Sequence, residues 1–278
     1  MSMLNFEFMN MIRPLRIDKS IRLGSDYDGG YILPEVALSQ IKYVFAYGYG
    51  YNFKFEEDLV NLKNAQIFLY DDEASTIRLL NQLILSLLIR PFRKSTKYAP
   101  KKIIKCLLDY YKLISTKKIA YRNFKVLPLG SNLWQKGKTI IFDDTIETVK
   151  FKHFEAGIKM DIEGHEYLIF DQAKVDFLKI AFIIIEFHGI GSNYSLFKRV
   201  IKKLQTNFVI TNIHINNYGS ISDIGIPSIV EISFVNKALI GEYSYADFIP
   251  SSLDRPCCIR KPEIRYQYKS KEESTAIL

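Results

Sequence analysis

A chain of 278 residues with 48% hydrophobic and 24% charged residues can bury a sizeable core, which excludes a disordered or low-complexity protein. Three cysteines, Cys106, Cys257 and Cys258, with no CxxC spacing, exclude a disulfide framework or a zinc knuckle and suit a reducing cytoplasm. The net charge of +8 is unevenly spread: Arg90–Lys125 holds twelve basic residues against one acid, Asp109, giving +11 there and −3 for the remainder.

Met1–Arg13 carries no secretory pattern. The apolar run Ile77–Ile89 is too short to span a bilayer and is interrupted by Arg78, Asn81 and Gln82. The expectation is a soluble, cytoplasmic protein. Residues 1–260 read as one domain and 261–278 as a polar, loosely ordered tail.

In chain order, Asp28-Gly29-Gly30 signals a hairpin, because glycine tolerates positive φ. Tyr31 follows directly, and this hairpin could cover a ligand. Tyr43–Tyr47 is a β-branched and aromatic run typical of a buried strand. It ends in Gly48-Tyr49-Gly50 and passes into residues of helical spacing at Phe53–Lys63. Strand, glycine pair and helix bring a backbone close to a nucleotide-like ligand. A second strand, Gln66–Tyr70, stops at Asp71-Asp72, about twenty residues after the glycines, where an acid can grip a ribose hydroxyl.

Residues 75–120 read as a helical, basic insertion broken by Pro91 and Pro100. A third strand, Phe124–Leu127, ends near Gly130-Ser131, and a short helix opens with Asp144 or Thr145 as its cap. Strand four, Gly157–Asp161, runs into Ile162-Glu163-Gly164-His165-Glu166, then a helix. Strand five, Ala181–His188, ends in Glu186-Phe187-His188. A helix at about Leu196–Leu204 precedes Asn207–His214 and Ser228–Val235, the final strand pair. The fold class is α/β: a mostly parallel, Rossmann-like sheet with an antiparallel C-terminal edge hairpin.

Tyr47-Gly-Tyr-Gly-Tyr51, Tyr70-Asp-Asp, Lys159-Met-Asp-Ile-Glu-Gly-His-Glu166 and Ile185-Glu-Phe-His188 resemble the FkbM-type methyltransferases. So do His214-Ile-Asn216 and Pro227-Ser-Ile-Val-Glu-Ile-Ser-Phe234. The resemblance spans roughly residues 20–236, in family order. It implies a methyltransferase sheet that binds S-adenosylmethionine and transfers its methyl group, usually to a hydroxyl oxygen on a sugar or natural product. It implies that Gly48, Tyr49 and Gly50 approach the methionine portion, that Asp71 (or Asp72) binds the ribose, and that Gly130 and Ser131 lie near the adenine.

Asp161, ending strand four, should face both the sulfonium and the acceptor. An acceptor hydroxyl benefits from a base, and His188 beside Asp161 is the first candidate, with His165 second. Glu163 and Glu166 read as helix-start acids. Asp28, Tyr31, Glu186, His188 and His214 are candidate acceptor contacts, and Asp161, Glu186 and His188 could hold a divalent ion.

The expected acceptor is a sugar or nucleotide-linked sugar of surface-polysaccharide or glycan biosynthesis. The basic segment 90–125 invites a nucleic-acid reading. A solvated helix face, a contact between copies, or attraction to an anionic membrane accounts for it more simply. A nicotinamide-dependent oxidoreductase on the same sheet is disfavoured by Phe53, where a third small residue would stand.

Overall fold

The computed structural model describes residues 4–72, 81, 84, 100–131 and 138–268. The strands are β1 (Leu15–Arg16), β2 (Ser20–Gly24), β3 (Gly30–Pro34), β4 (Tyr43–Tyr47), β5 (Gln66–Tyr70), β6 (Ile119–Arg122), β7 (Lys125–Leu127), β8 (Thr139–Ile141), β9 (Ala156–Met160), β10 (Ile180–His188), β11 (Phe208–Ile215) and β12 (Ile229–Asn236), with short pairs β13 (Ser244–Tyr245), β14 (Phe248–Ile249) and β15 (Tyr266–Gln267). Seven of them form one sheet in the order β11-β12-β10-β9-β4-β5-β6. The pairs β4–β5, β4–β9, β9–β10 and β5–β6 are parallel; β12 is antiparallel to both β10 and β11. This is the expected α/β class with a mostly parallel sheet. The closing hairpin folds so that β12 inserts beside β10 and β11 takes the edge.

Both faces of the sheet are covered, which is why its strands read as nearly continuous apolar runs. On one face, the helices Phe142–Glu147, Glu166–Gln172 and Tyr194–Leu204 pack around Phe142, Phe170 and Phe197, all fully buried. On the other, the β2–β3 hairpin, the Lys54–Lys63 helix and the Pro100–Ser115 helix close over Phe55, Leu59, Ile184 and Leu113.

Three expectations are corrected. The third strand of the sheet is Ile119–Arg122; Lys125–Leu127 is a strand, but it pairs with Thr139–Ile141 in a separate two-stranded sheet. Ile119-Ala-Tyr-Arg is short and follows Lys117-Lys118, so it reads as a continuation of the helix, which in fact ends at Ser115. The short helix starts at Phe142, placing Asp144 and Thr145 inside it rather than at its cap. The polar tail is docked as far as Tyr268: β15 pairs with β14, and Tyr268 is 4% exposed. Most of the expected insertion, 75–99, lies outside the described residues.

Gly157 on β9 is opposite Phe182 on β10, and a Cβ there would drive into the Phe182 ring. Gly157→Val should destabilise the fold by about 1–3 kcal/mol, read as a lower denaturant midpoint at unchanged slope. An unchanged midpoint would contradict this packing.

Candidate active site

The carboxyl ends of β4, β5, β9 and β10 converge. Tyr47 pairs with Tyr70 and Met160, and Met160 with Ile185, so Gly48, Asp71 and Asp161 leave neighbouring strands at one level. Between them lies a cleft of about 270 Å3, at the small end of ligand sites. It is lined by Gly48, Gly50, Asp71, Asp72, Phe124, Val126, Asp161, Glu163 and His165. Open crevices at the carboxyl ends of parallel strands are where α/β sheets bind ligands.

The chain turns tightly here. Gly48 adopts φ +86°, and a Cβ on it would collide with the Asp161 carbonyl oxygen, so only glycine lets these two strand ends touch. Gly50, at φ +53°, has nothing within 4 Å of where a Cβ would stand, leaving the cleft wall open. The turn is held from both sides. An Asp71 carboxylate oxygen accepts a 2.8 Å hydrogen bond from the Tyr49 N–H, and Lys159 Nζ donates to the Gly48 carbonyl at 2.8 Å.

Tyr49 enters the site through its backbone alone. Its ring is 2% exposed and packs against Tyr51 at 5.5 Å and Phe53 at 6.3 Å, away from the cleft. Gly130 and Ser131 form a turn closed by the Ser131 N–H on the Pro128 carbonyl, and they do not line the cleft. Phe124 and Val126 occupy the wall expected of them. Asp72 is exposed at the rim.

Next to Asp161 the sheet carries a row of ionisable side chains. Glu186 on β10 stands directly opposite Glu231 on β12, and Glu231 opposite His214 on β11. All three are almost fully buried. Burial of facing carboxylates is costly unless cations or hydrogen bonds compensate it. His188 supplies part of that compensation. Its Nδ1 lies 2.9 Å from Glu166 Oε1; its Nε2 lies 3.5 Å from Glu186, 3.6 Å from Glu163 and 3.8 Å from Asp161. Lys159, 5% exposed, stands 3.8 Å from the Asp161 carboxylate and 6.0 Å from the Tyr31 ring centre. Asn216 donates to Glu186 at 3.0 Å.

Burial alone would push the His188 pKa down, but hydrogen bonds to Glu166 and Glu186 outweigh it and hold the imidazole up at about 11. Both ring nitrogens face carboxylates, and Glu166 and Glu186 favour the protonated imidazole. An atom of His188 lies within 4.8 Å of oxygens from Asp161 and Glu186. Burial raises the pKa of Asp161, opposed by Lys159 and His188, and burial likewise raises Glu186.

Glu166 opens the Glu166–Gln172 helix, as expected of a helix-start acid, but it is also 0% exposed; one oxygen accepts from the Ile162 and Gly164 N–H groups at 3.2 and 3.1 Å and contacts His188. It thus ties the Asp161–Gly164 loop to β10. Glu163, in the left-handed region at φ +57°, is exposed at the cleft mouth. His165 lines the mouth and makes no capping bond. His214 does not line the cleft; it is held between Glu231 and Glu263 at 3.0 Å each. Asp28 brings an oxygen within 4.8 Å of Glu186 and Glu231, and Tyr31 packs edge-on against Phe55 behind Lys159. Lys159 and Glu231 had no role in the sequence reading; the signal for both was a charge inside an apolar strand.

Because the folded pKa of His188 lies above its unfolded value near 6.5, its stabilisation is fully present below pH 6.5 and is lost as pH rises through about 11. NMR titration of the imidazole should show no midpoint below pH 9 in the wild type. Glu166→Gln should bring the midpoint down toward neutrality. A wild-type midpoint near 6.5 would contradict the carboxylate cage.

S-adenosylmethionine fits the cleft on these observations: Gly48 and Gly50 clear its wall, Asp71 stands at the end of β5, and the Asp161 and Glu163 carboxylates complement a sulfonium charge. No curated protein matches the chain. A spermidine synthase from Thermotoga maritima is 8% identical, with a TM-score of 0.40 over 74% of this chain and 57% of that one, so the chain spans just over half of the synthase's length. The Methanococcus jannaschii fibrillarin pre-rRNA processing protein is 10% identical, with a TM-score of 0.36 over 72% of this chain and 69% of that one. The family described as the methyltransferase FkbM domain matches residues 108–217, a stretch holding Asp161, Glu166, Glu186, His188 and His214. Residues 108–217 are thus similar to an FkbM methyltransferase domain, and the cofactor that this similarity implies is S-adenosylmethionine.

Proposed function

We propose that the protein transfers a methyl group to a hydroxyl oxygen of a sugar or nucleotide-linked sugar in surface-polysaccharide or glycan biosynthesis. The observation that carries this reading is the meeting, at Asp161, of the glycine-walled cleft with the row of buried carboxylates. One side suits the cofactor. The other presents Asp28, Asp161 and Glu186, which can accept hydrogen bonds from several hydroxyls of one acceptor. The same carboxylates repel phosphate, which favours the sugar end of such an acceptor and disfavours a nucleic-acid backbone at this point.

Gly48, Gly50 and Asp71 would hold the cofactor, with Phe124 and Val126 beside its base. When bound, the cofactor supplies an electrophilic methyl group on a sulfonium. Asp161 accepts the proton of the acceptor hydroxyl; burial, by raising its pKa, makes it a better base than an ordinary aspartate. Lys159 and His188 keep that carboxylate in one position, and most of the rate comes from such positioning.

Two outcomes test this. Asp161→Asn should retain binding of S-adenosylhomocysteine while turnover falls about 10²–10⁴-fold, the usual worth of a general base. Mass spectrometry of neutral sugars and nucleotide-linked sugars incubated with cofactor should show the gain of one methylene. Unchanged turnover in Asp161→Asn would move the base elsewhere. A gain on amines or nucleic acid, with none on sugars, would overturn the acceptor class.

A further inference from the structure

Away from the cleft, one buried cluster combines three different donor types. His214 on β11, Glu231 on β12 and Cys257, from the segment between β14 and β15, are 2%, 5% and 5% exposed. His214 Nδ1 lies 3.0 Å from Glu231 Oε2 and 3.6 Å from Cys257 Sγ, and Sγ lies 3.4 Å from Glu231 Oε1. A tetrahedral zinc ion, with bonds of about 2.0–2.1 Å to nitrogen and oxygen and about 2.3 Å to sulfur, sets its ligand atoms roughly 3.3–3.5 Å apart. The three distances are close to that spacing, with the nitrogen and the sulfur facing different oxygens of Glu231, and one ligand atom from each residue lies within 4.8 Å of the other two. A sulfur donor argues against magnesium and calcium, and the mixed nitrogen, oxygen and sulfur set suits zinc or its divalent first-row neighbours.

A second, independent feature points the same way. The other ring nitrogen of His214, Nε2, lies 3.0 Å from Glu263 Oε1. Metal-bound histidines hand their remaining N–H to a carboxylate, which fixes the tautomer and the ring plane. We propose that His214 Nδ1, Glu231 and Cys257 Sγ bind a divalent transition-metal ion, zinc by preference, with Glu263 as the positioning residue for His214. The fourth position falls to Asp28, which brings an oxygen within 4.8 Å of one of Glu231's, or to water. On binding, the thiol and Nδ1 each release a proton to solvent and Nε2 keeps its own, so affinity rises with pH. Cys257 and Glu263 belong to the tail that packs on β11 and β12. The ion thus staples that segment beside the Glu186 end of the sheet.

The test uses the purified full chain. After incubation with zinc and exhaustive dialysis, elemental analysis should find one zinc per chain. Cobalt(II) in its place should give a near-ultraviolet thiolate-to-metal band, lost in Cys257→Ser and kept in Cys258→Ser. Glu263→Gln, which leaves all three ligands in place, should weaken zinc binding about 10–100-fold. Folded wild-type protein that retains no zinc and shows no cobalt band would overturn the proposal, leaving His214 as an imidazolium bridging two glutamates. A band that survives Cys257→Ser and vanishes in Cys258→Ser would overturn it equally.

Discussion

The structure turns on charge compensation at the carboxyl ends of β9 and β10. Lys159, Asp161, Glu166, Glu186, His188 and Glu231 are crowded where two hydrophobic layers meet, and none would be stable there alone. Lys159 holds Asp161 on one side and the Gly48 carbonyl on the other. His188 answers Glu166 and Glu186, and through Glu166 it is fixed to the loop that carries Asp161. Removing one partner of such a set costs more than the contact it makes, because the opposite charge is left buried and unpaired. The shape of the cleft therefore depends on charge pairs as much as on packing.

The two faces of the sheet divide the labour. On the face bearing Phe142 and Phe197, aromatic contacts such as Phe187 to Phe197 at 5.0 Å anchor β10 from behind. Residues of opposite parity on β9 and β10, namely Lys159, Glu186 and His188, point to the other side. There the β2–β3 hairpin brings Asp28 and Tyr31 over them. The hairpin, read from three residues as a turn, is thus a wall of this charged region as well as a local fold element.

Much of this was legible in the sequence. Gly48, Gly50, Asp71 and Asp161 were readable because each ends a β-branched or aromatic run, and in a parallel sheet such ends share one edge. The mostly parallel character of the sheet was readable from alternation with helices. Local pattern misplaced strand three because Ile119–Arg122 is four residues long and flanked by lysine and arginine, while its partner β5 supplies the register. It also undervalued Glu166. The position after Gly164 and His165 looks like any acid at a helix start; only the fold shows three donors converging on one oxygen. His188 was legible by its place at a strand end but its partners were not, since the carboxylates that face it, Glu166 and Glu186, stand 22 and 2 positions earlier. Tail residues such as Glu263 and Cys257 read as polar ending and odd thiols, because their partners lie more than twenty residues away.

The central claim is that the glycine-walled cleft beside this charged cluster is a cofactor site. Titration calorimetry of the full chain with S-adenosylhomocysteine tests it most directly. The account predicts one site per chain, with affinity clearly reduced in Asp71→Ala, whose carboxylate ties down the Tyr49 N–H. Absence of binding by folded wild-type protein would contradict it.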